Sequence, residues 1–332
     1  MASVSEILKD YPRASLVKNI TPIHRLDAIS RELGIDVYVK RDDLTGFAIG
    51  GNKVRKLEFL LGDAMSRGVD TVITIGAVHS NHALVTAIAA RTVGMEVVLV
   101  LRGQEDLRGN YMLEKLLEID VRLHRVRNTK ELLSVAREVA RELEASGRKP
   151  YVIPQGGASP TGSLGYVLAS EEIVNQLKSL GISVDTVVVA AGSGGTLAGL
   201  LAGFRLLDAD IRVVGIDVGG FVKSLKDDVG AILKGISSML SVELPSEVET
   251  HDYGFGAYGR ITPEVVDTIK HVALSEGILL DPVYTAKAFY GLMDMARKGM
   301  LGRKVLFIHT GGIPGLFHYG REMLEVAGKK EV

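Results

Sequence analysis

Three short segments combine side chains able to do chemistry with glycines that let a ligand approach. The first is Lys40-Arg41-Asp42-Asp43-Leu44-Thr45-Gly46, followed by Gly50-Gly51-Asn52-Lys53. A strand runs into a glycine loop there, and Lys53 opens the next helix. A lysine at a helix N-terminus opposes the helix dipole, which disfavours its ammonium form. Burial would shift it further toward the neutral amine, the form that adds to an aldehyde. A lone lysine is ordinarily a solvated surface residue. The flanking glycines change that expectation, because they let the backbone come close to a ligand.

The second segment is His79-Ser80-Asn81-His82, at the start of an Ala-rich helix. Ser80 and Asn81 are good N-caps, and the free N–H groups of such a helix start can instead hold a carboxylate. His79 and His82 form an HxxH pair, but no third ligand adjoins it in sequence, so no metal is expected. The third segment is Ala191-Gly192-Ser193-Gly194-Gly195-Thr196, between an apolar strand and a helix. Such a loop offers backbone N–H groups and the positive helix end to a phosphate. Gly192-x-Gly194 also resembles a dinucleotide fingerprint, with Asp217 closing the next strand at about the distance of a ribose contact. Leu197, however, stands where the third glycine belongs, and no glycine loop ends in Gly-Lys-Ser or Gly-Lys-Thr. The loop specifies a phosphate and leaves its owner open.

The elements that must position these groups alternate between short apolar runs and longer amphipathic ones, the pattern of βα units. Predicted strands are Asp36–Lys40, Thr71–Ile75, Glu96–Leu101, Val121–Val126, Tyr151–Ile153, Thr186–Ala191, Arg212–Asp217 and Lys304–His309. Helices are predicted at Val54–Arg67, Lys130–Glu144 and Ala198–Leu207. Several strands are continuously apolar, so helices should cover both faces of a mostly parallel sheet, an α/β fold. The glycine-rich stretches Thr45–Asn52 and Pro154–Gly165 read as hinges. They would bound a small domain at residues 53–165, set into a large domain of residues 1–52 plus 166–332. Between Gly219 and His251 a helix is expected, with packing that the pattern does not give.

Composition narrows the class. The chain has 332 residues, is 46% hydrophobic and carries a formal charge of −1, which gives no reason to expect nucleic acid or a membrane as partner. It has no cysteine, so disulfides, thiolate metal sites and a cysteine nucleophile are excluded. Met1 to Asp10 lacks the basic and apolar regions of a secretory signal, and no apolar run would span a bilayer. A cytoplasmic location is expected. The lack of Cys, few Gln and many Glu, Lys and Arg would suit a thermophile.

Together the segments resemble the ACC deaminase and D-cysteine desulfhydrase family of fold-type II pyridoxal-phosphate enzymes. The resemblance rests on Lys-Arg-Asp-Asp-Leu-Thr-Gly (Lys40–Gly46), Gly-Gly-Asn-Lys-x-Arg-Lys (Gly50–Lys56), Ser-Asn-His (Ser80–His82), Gly-Ser-Gly-Gly-Thr (Gly192–Thr196) and Leu280-Asp281-Pro282-Val283-Tyr284-Thr285-Ala286-Lys287. It implies a tryptophan synthase β-like fold of two lobes, each an open, mostly parallel twisted sheet with helices on both faces. It implies pyridoxal 5'-phosphate as cofactor, with Lys53 as the Schiff-base lysine that later moves the Cα proton. By the same resemblance Asn52, Asn81, Ser193, Gly194, Gly195, Thr196, Thr285 and Thr310 bind the cofactor. Ser80, Asn81 and His82 receive the substrate carboxylate, and Tyr258 and Tyr284 lie near the reacting side chain. A small amino acid is the implied partner, and a homodimer the implied assembly.

Three positions bear on the reaction. ACC deaminases of this family typically have Gln, Glu and Leu where this chain has His82, Thr285 and Thr310. In the resemblance residue 285 faces the pyridine nitrogen, where a carboxylate favours a stronger electron sink than a hydroxyl. The chain therefore fits α,β-elimination, most simply D-cysteine to pyruvate, ammonia and hydrogen sulfide. Ala286 stands where glycine is common. The alternatives are ACC deamination, a nucleotide-dependent oxidoreductase built on Gly192 to Asp217, and a binding protein without turnover.

Overall fold

The computed structural model describes residues 3–220 and 222–328. Its strands are β1 (Ile23–Arg25), β2 (Asp36–Lys40), β3 (Thr71–Ala77), β4 (Glu96–Arg102), β5 (Asp120–His124), β6 (Pro150–Ile153), β7 (Thr186–Ala191), β8 (Arg212–Asp217), β9 (Thr250–Asp252) and β10 (Lys304–Ile308). They form a six-stranded sheet in the order β1-β2-β10-β7-β8-β9 and a four-stranded sheet in the order β5-β4-β3-β6. All pairings are parallel except β1 with β2. The eight predicted strands are present with ends shifted by a few residues at most. β1 and β9 are three residues each, too short for alternation to announce.

Helices cover both faces of both sheets, and the period of two within each strand shows why. In β7, Val187, Val189 and Ala191 join Leu164, Leu197 and Val229 from helices on one face. Val188 and Ala190 join Val265, Phe289 and Leu292 on the other. The smaller sheet divides the same way. Leu99 and Leu101 of β4 meet Leu57, Leu60 and Leu61 of the helix Asn52–Ser66. Val98 and Val100 meet Leu132, Ala136 and Val139 of the helix Thr129–Ala145. Each fully buried Val or Leu contributes about 1.5–3 kcal/mol, and strands buried on both faces must read as continuous apolar runs.

One stretch departs from the sequence reading, and in another the structure supplies the packing of an expected helix. Pro154–Gly165, read as a glycine-rich hinge, is a short 3-10 turn followed by the start of the helix Pro160–Leu180. Ser159 Oγ accepts from Gly162 N at 3.1 Å, and Pro160 supplies the first turn, so the helix start is conventional. Its glycines serve contact. A Cβ on Gly165 would lie 2.1 Å from the Arg55 carbonyl oxygen, so glycine lets two helices touch backbone to backbone. The region after Gly219 contains the helix Val222–Leu240, which buries Leu225, Val229, Ile232, Leu233 and Ile236 at helical spacing.

Chain order also fixes where a ligand can sit. In the six-stranded sheet the chain leaves β7 toward β8 and β9, while β10 lies on the other side of β7. In the four-stranded sheet β4 and β5 lie on one side of β3 and β6 on the other. Both are topological switch points, where the loops beyond the strand C-termini diverge and leave a crevice.

Candidate active site

The loops from both switch points line one cavity of about 760 Å³. β3 contributes Ile75 to Ala77 and leads to Ser80, Asn81 and His82, and β6 leads to Pro154, Gln155 and Gly156. β7 leads to Gly192, Ser193, Gly194 and Thr196, and β10 leads to Thr310, Gly311 and Gly312. Asn52, Lys53, Tyr258 and Tyr284 complete the set of predicted residues on its wall. Gly195 and Thr285 are not on it.

Lys53 sits in the first turn of the helix Asn52–Ser66. The turn before it needs glycine: Gly50 and Gly51 have φ of +68° and +92°, and a Cβ on Gly51 would lie 2.7 Å from the Thr310 carbonyl oxygen. Asn52 N donates to that same oxygen at 3.1 Å, which ties the lysine turn to the loop after β10. Lys53 is half-buried, and desolvation lowers its pKa to about 8, with no acid nearby to restore it. A substantial fraction is therefore neutral amine at physiological pH, the nucleophilic form.

One helical turn on stands Lys56, fully buried on the same cavity wall, which the sequence reading did not single out. Burial, with Lys53 adding to it, pushes its pKa well below the ordinary lysine value. Its Nζ donates to the Gly156 carbonyl at 3.3 Å and lies 3.1 Å from where a Cβ on Gly195 would stand. An i, i+3 spacing on a buried helix face was the available signal.

The glycine loop is a cradle. A Cβ on Gly156 would fall 2.4 Å from Ser193 Oγ and 3.7 Å from Lys53 Nζ. Gly194 adopts φ of +80° as the N-cap of the helix Gly195–Leu206, and no side chain satisfies that cap. Asn52 Nδ2 donates to Thr196 Oγ1 at 2.9 Å. Free helix N–H groups, a hydroxyl and the Lys56 amine converge on a place that could hold a phosphate.

On the opposite wall, Ser80 caps the helix Asn81–Thr92, its Oγ accepting from Ala83 N at 3.3 Å. Asn81 Oδ1 accepts from Asn110 Nδ2 at 2.8 Å, which leaves Nδ2 for a ligand. His82 is buried, with Nε2 against Thr74 Oγ1 at 2.9 Å, and burial followed by the two lysines holds its pKa well below the usual value. It is thus a neutral imidazole. His79 turns elsewhere, toward Asp106 at 3.1 Å, so the HxxH pair does not come together.

Tyr258 and Tyr284 hydroxyls share a hydrogen bond of 2.5 Å. Tyr284 N, Thr285 N and Val283 N all donate to the buried Asp281 carboxylate at 2.8–3.0 Å. Thr285 Oγ1 donates to the same carboxylate at 2.8 Å and accepts from Asp281 N at 2.7 Å. The hydroxyl expected to face a ligand ring is therefore engaged with Asp281. Of Thr285 and Thr310, only Thr310 lines the cavity.

Lys287 holds the tyrosine loop. Its buried Nζ donates to the carbonyls of Val218 at 3.2 Å, Gly254 at 3.0 Å and Ala257 at 3.0 Å, the last being the residue before Tyr258. Replacing Lys287 with Met leaves three carbonyls without that donor and frees Tyr258 to shift. A misplacement of about 1 Å can cost about 100-fold, so K287M should lose kcat/KM on that order while keeping its circular dichroism. Steady-state kinetics on the folded variant check this, and an unchanged kcat/KM would remove the positioning role.

Asp217, the expected ribose contact of the oxidoreductase reading, accepts from Gly219 N at 2.8 Å and Gly220 N at 3.1 Å. It caps a turn. The charged run Lys40–Asp43 is likewise structural at two of its positions. Arg55 donates to Asp42 through Nε at 2.9 Å and Nη2 at 2.8 Å, and to Glu172 through Nη1 at 3.0 Å. Lys40 Nζ meets Glu172 at 2.5 Å, and the Tyr166 hydroxyl donates to Asp42 at 2.5 Å. This buried cluster fastens the lysine helix to β2 and to the helix Pro160–Leu180, two residues beyond Lys53.

Residues 14–311 match the family described as Pyridoxal-phosphate dependent enzyme. The chain belongs to that family. Within it the chain is 58% identical to a protein of Pyrococcus abyssi provisionally named 1-aminocyclopropane-1-carboxylate (ACC) deaminase, over 97% of this chain and 98% of that one. It is 40% identical to the D-cysteine desulfhydrase of Yersinia pestis (strain Pestoides F), over 96% and 98%. The crystal structure of an ACC deaminase homologue superposes with a TM-score of 0.95 at 54% identity, covering 98% of this chain and 99% of that one. A threonine deaminase of Solanum lycopersicum, at 18% identity and a TM-score of 0.70 over 98% and 88% of the two chains, shares the fold alone. This pyridoxal-phosphate enzyme is thus a fold-type II member of the ACC deaminase and D-cysteine desulfhydrase family. No helix among the described residues is long and apolar enough to cross a membrane.

Proposed function

We propose that the enzyme catalyses α,β-elimination on a small β-substituted amino acid, with D-cysteine and water yielding pyruvate, ammonia and hydrogen sulfide. When bound, pyridoxal phosphate supplies an aldehyde for a lysine amine and a ring that withdraws electrons from the substrate Cα. The cavity fits that group: an unpaired amine at Lys53, a glycine cradle at Ser193–Thr196 with Lys56 beside it, and a gap at Gly156 between them.

Lys53 Nζ holds the cofactor and then takes the Cα proton. Ser80 and the N–H groups after it hold the substrate carboxylate at the positive end of the helix Asn81–Thr92, and Asn81 Nδ2 orients the cofactor from the same wall. Tyr284, with Tyr258 hydrogen-bonded to it, stands near the leaving sulfur and can pass it a proton. The Cα–H and Cβ–S bonds break, and the pair from Cα–H forms the Cα–Cβ double bond. Hydrolysis of the resulting enamine then gives pyruvate and ammonia.

One observation favours elimination over opening a cyclopropane ring. Among the described residues lining the cavity the only carboxylate is Asp228, on the helix Val222–Leu240, whose Leu225 and Val229 approach Gly194 at the phosphate end. The wall after β10 offers the Thr310 hydroxyl, and Asp281 behind Gly312 is occupied by four N–H and O–H donors. An uncharged partner gives a weaker electron sink, sufficient for losing a Cα proton and a good leaving group from Cβ. The same proposal takes the enzyme to be a cytoplasmic homodimer, on the strength of the resemblance.

The test incubates the enzyme separately with D-cysteine and with ACC and identifies the products. Pyruvate and sulfide from D-cysteine, with turnover of ACC at least 100-fold slower, is the expected outcome. 2-Ketobutyrate from ACC at a comparable rate would assign the enzyme to ring opening. L-Cysteine, D-serine and β-chloro-alanine in the same series report which hand and which leaving group the pocket accepts.

A further inference from the structure

Behind the tyrosine pair lies a second chamber of about 160 Å³, lined in part by Asn81, Tyr258 and Tyr284. His79 and His318 also line it, and Asp106 adjoins them. The three come from far apart: His79 from the loop after β3, Asp106 from the segment after β4, and His318 from the end of the short helix Pro314–His318. His79 Nε2 is 3.1 Å from Asp106 Oδ2, and His318 Nδ1 is 3.7 Å from that same oxygen. The two imidazole rings lie with centroids 3.3 Å apart and planes tilted by 33°, so an ion shared between them would fan the rings apart.

These are unusual terms for two histidines. Their side chains are only 11% and 12% exposed, and His318 Nδ1 is buried without a hydrogen-bond partner. A buried ring nitrogen without a partner is unfavourable and asks for an explanation, such as a bound ion. Ligand chemistry supplies one. Zinc bonds imidazole nitrogen and carboxylate oxygen at about 2.0–2.2 Å in a tetrahedron, so neighbouring ligand atoms lie about 3.4 Å apart. The separations of 3.1 and 3.7 Å fall on either side of that edge, and all three ligand atoms lie within 4.8 Å of one another.

We propose that His79, Asp106 and His318 form a site for one zinc-class divalent cation, its fourth position open to the small chamber. Bound there, the ion would tie the C-terminal segment to the loop that carries Ser80 and Asn81. Arg108 opposes it, donating through Nε to Asp106 Oδ1 at 2.6 Å and through Nη2 to Oδ2 at 2.5 Å. The guanidinium competes for the carboxylate and leaves the ion's charge uncompensated, so the site should bind weakly, and removing Arg108 should tighten it. The site stands independently of the reaction assigned to the Lys53 cavity.

The test uses the cofactor-loaded full chain, dialysed against chelator and titrated with cobalt(II), whose visible d–d absorption reports nitrogen and oxygen ligation of low symmetry. One cobalt per chain, displaced by zinc, is expected. H318A and the near-isosteric D106N should each abolish the band, R108Q should lower the dissociation constant at least tenfold, and zinc should raise the melting temperature of the parent and of R108Q but not of H318A or D106N. No cobalt uptake by the parent, or a band that survives both H318A and D106N, would overturn the site.

Discussion

Replacing Lys53 with Ala is expected to lower kcat by about 10³-fold or more, the scale of a lost proton-transfer group. The variant should also lose the visible absorption of the cofactor-loaded enzyme. Its melting temperature should stay near that of the cofactor-free parent, because Lys53 is half-buried on a cavity wall and its ammonium has no acid partner to lose. Lys56 sharpens the comparison. It is the other buried lysine on the wall, and K56M should weaken cofactor retention while leaving the visible band of the loaded fraction. If K53A kept a tenth of the parental turnover, Lys53 would not be the reacting amine.

Arg55→Met is expected to have the largest effect on stability. It removes the guanidinium that both Asp42 and Glu172 face, leaving one acid fully and one largely buried beside Lys40 alone. Breaking such a cluster by removing one partner costs about 3–5 kcal/mol, since the remaining charges stay desolvated. The pH dependence has a sign. Burial pushes the Asp42 and Glu172 pKa values up most, but Arg55 together with Lys40, and Tyr166 at Asp42, outweighs it and both lie below the ordinary carboxylate range. A carboxyl with a lowered folded pKa adds stability above its unfolded pKa of about 4, and that stability is lost as pH falls through the folded value. The parent should therefore melt progressively lower as pH drops below about 4. In R55M burial prevails, so that acid limb should flatten. Denaturant melts across this range measure both effects, and a loss below about 1 kcal/mol would mean that the cluster is dispensable.

Much of this architecture was legible before any coordinates. Runs such as Thr186–Ala191 and Glu96–Leu101 are apolar at every interior position, which only a strand buried on both faces requires. Gly50-Gly51 ahead of Lys53 marked a turn that positive φ reserves for glycine, and the 192–196 glycines marked the turn from strand to helix. What the sequence hid were the partners that folding brings from a distance. The resemblance turned Thr285 toward the pyridine nitrogen, and nothing in the sequence showed that its hydroxyl donates to Asp281, four residues back. Lys287 reaches carbonyls 30 to 69 residues away. Asp106 and His318 lie 27 and 239 residues from His79, so no spacing rule announces their meeting. The glycines of Pro154–Gly165 suggested a hinge because close helix contact and chain flexibility leave the same residue in the sequence.

Two lysines, Lys53 and Lys56, share the cavity wall, and only one can be the reacting amine. Reducing the cofactor-loaded enzyme with borohydride fixes pyridoxal phosphate to the amine that holds it, and peptide mapping by mass spectrometry then locates the adduct. The expected result is a single modified peptide carrying the label on Lys53, at near one equivalent per chain. Label on Lys56 or Lys287 with Lys53 unmodified would contradict it, and with it the assignment of the Cα proton to Lys53.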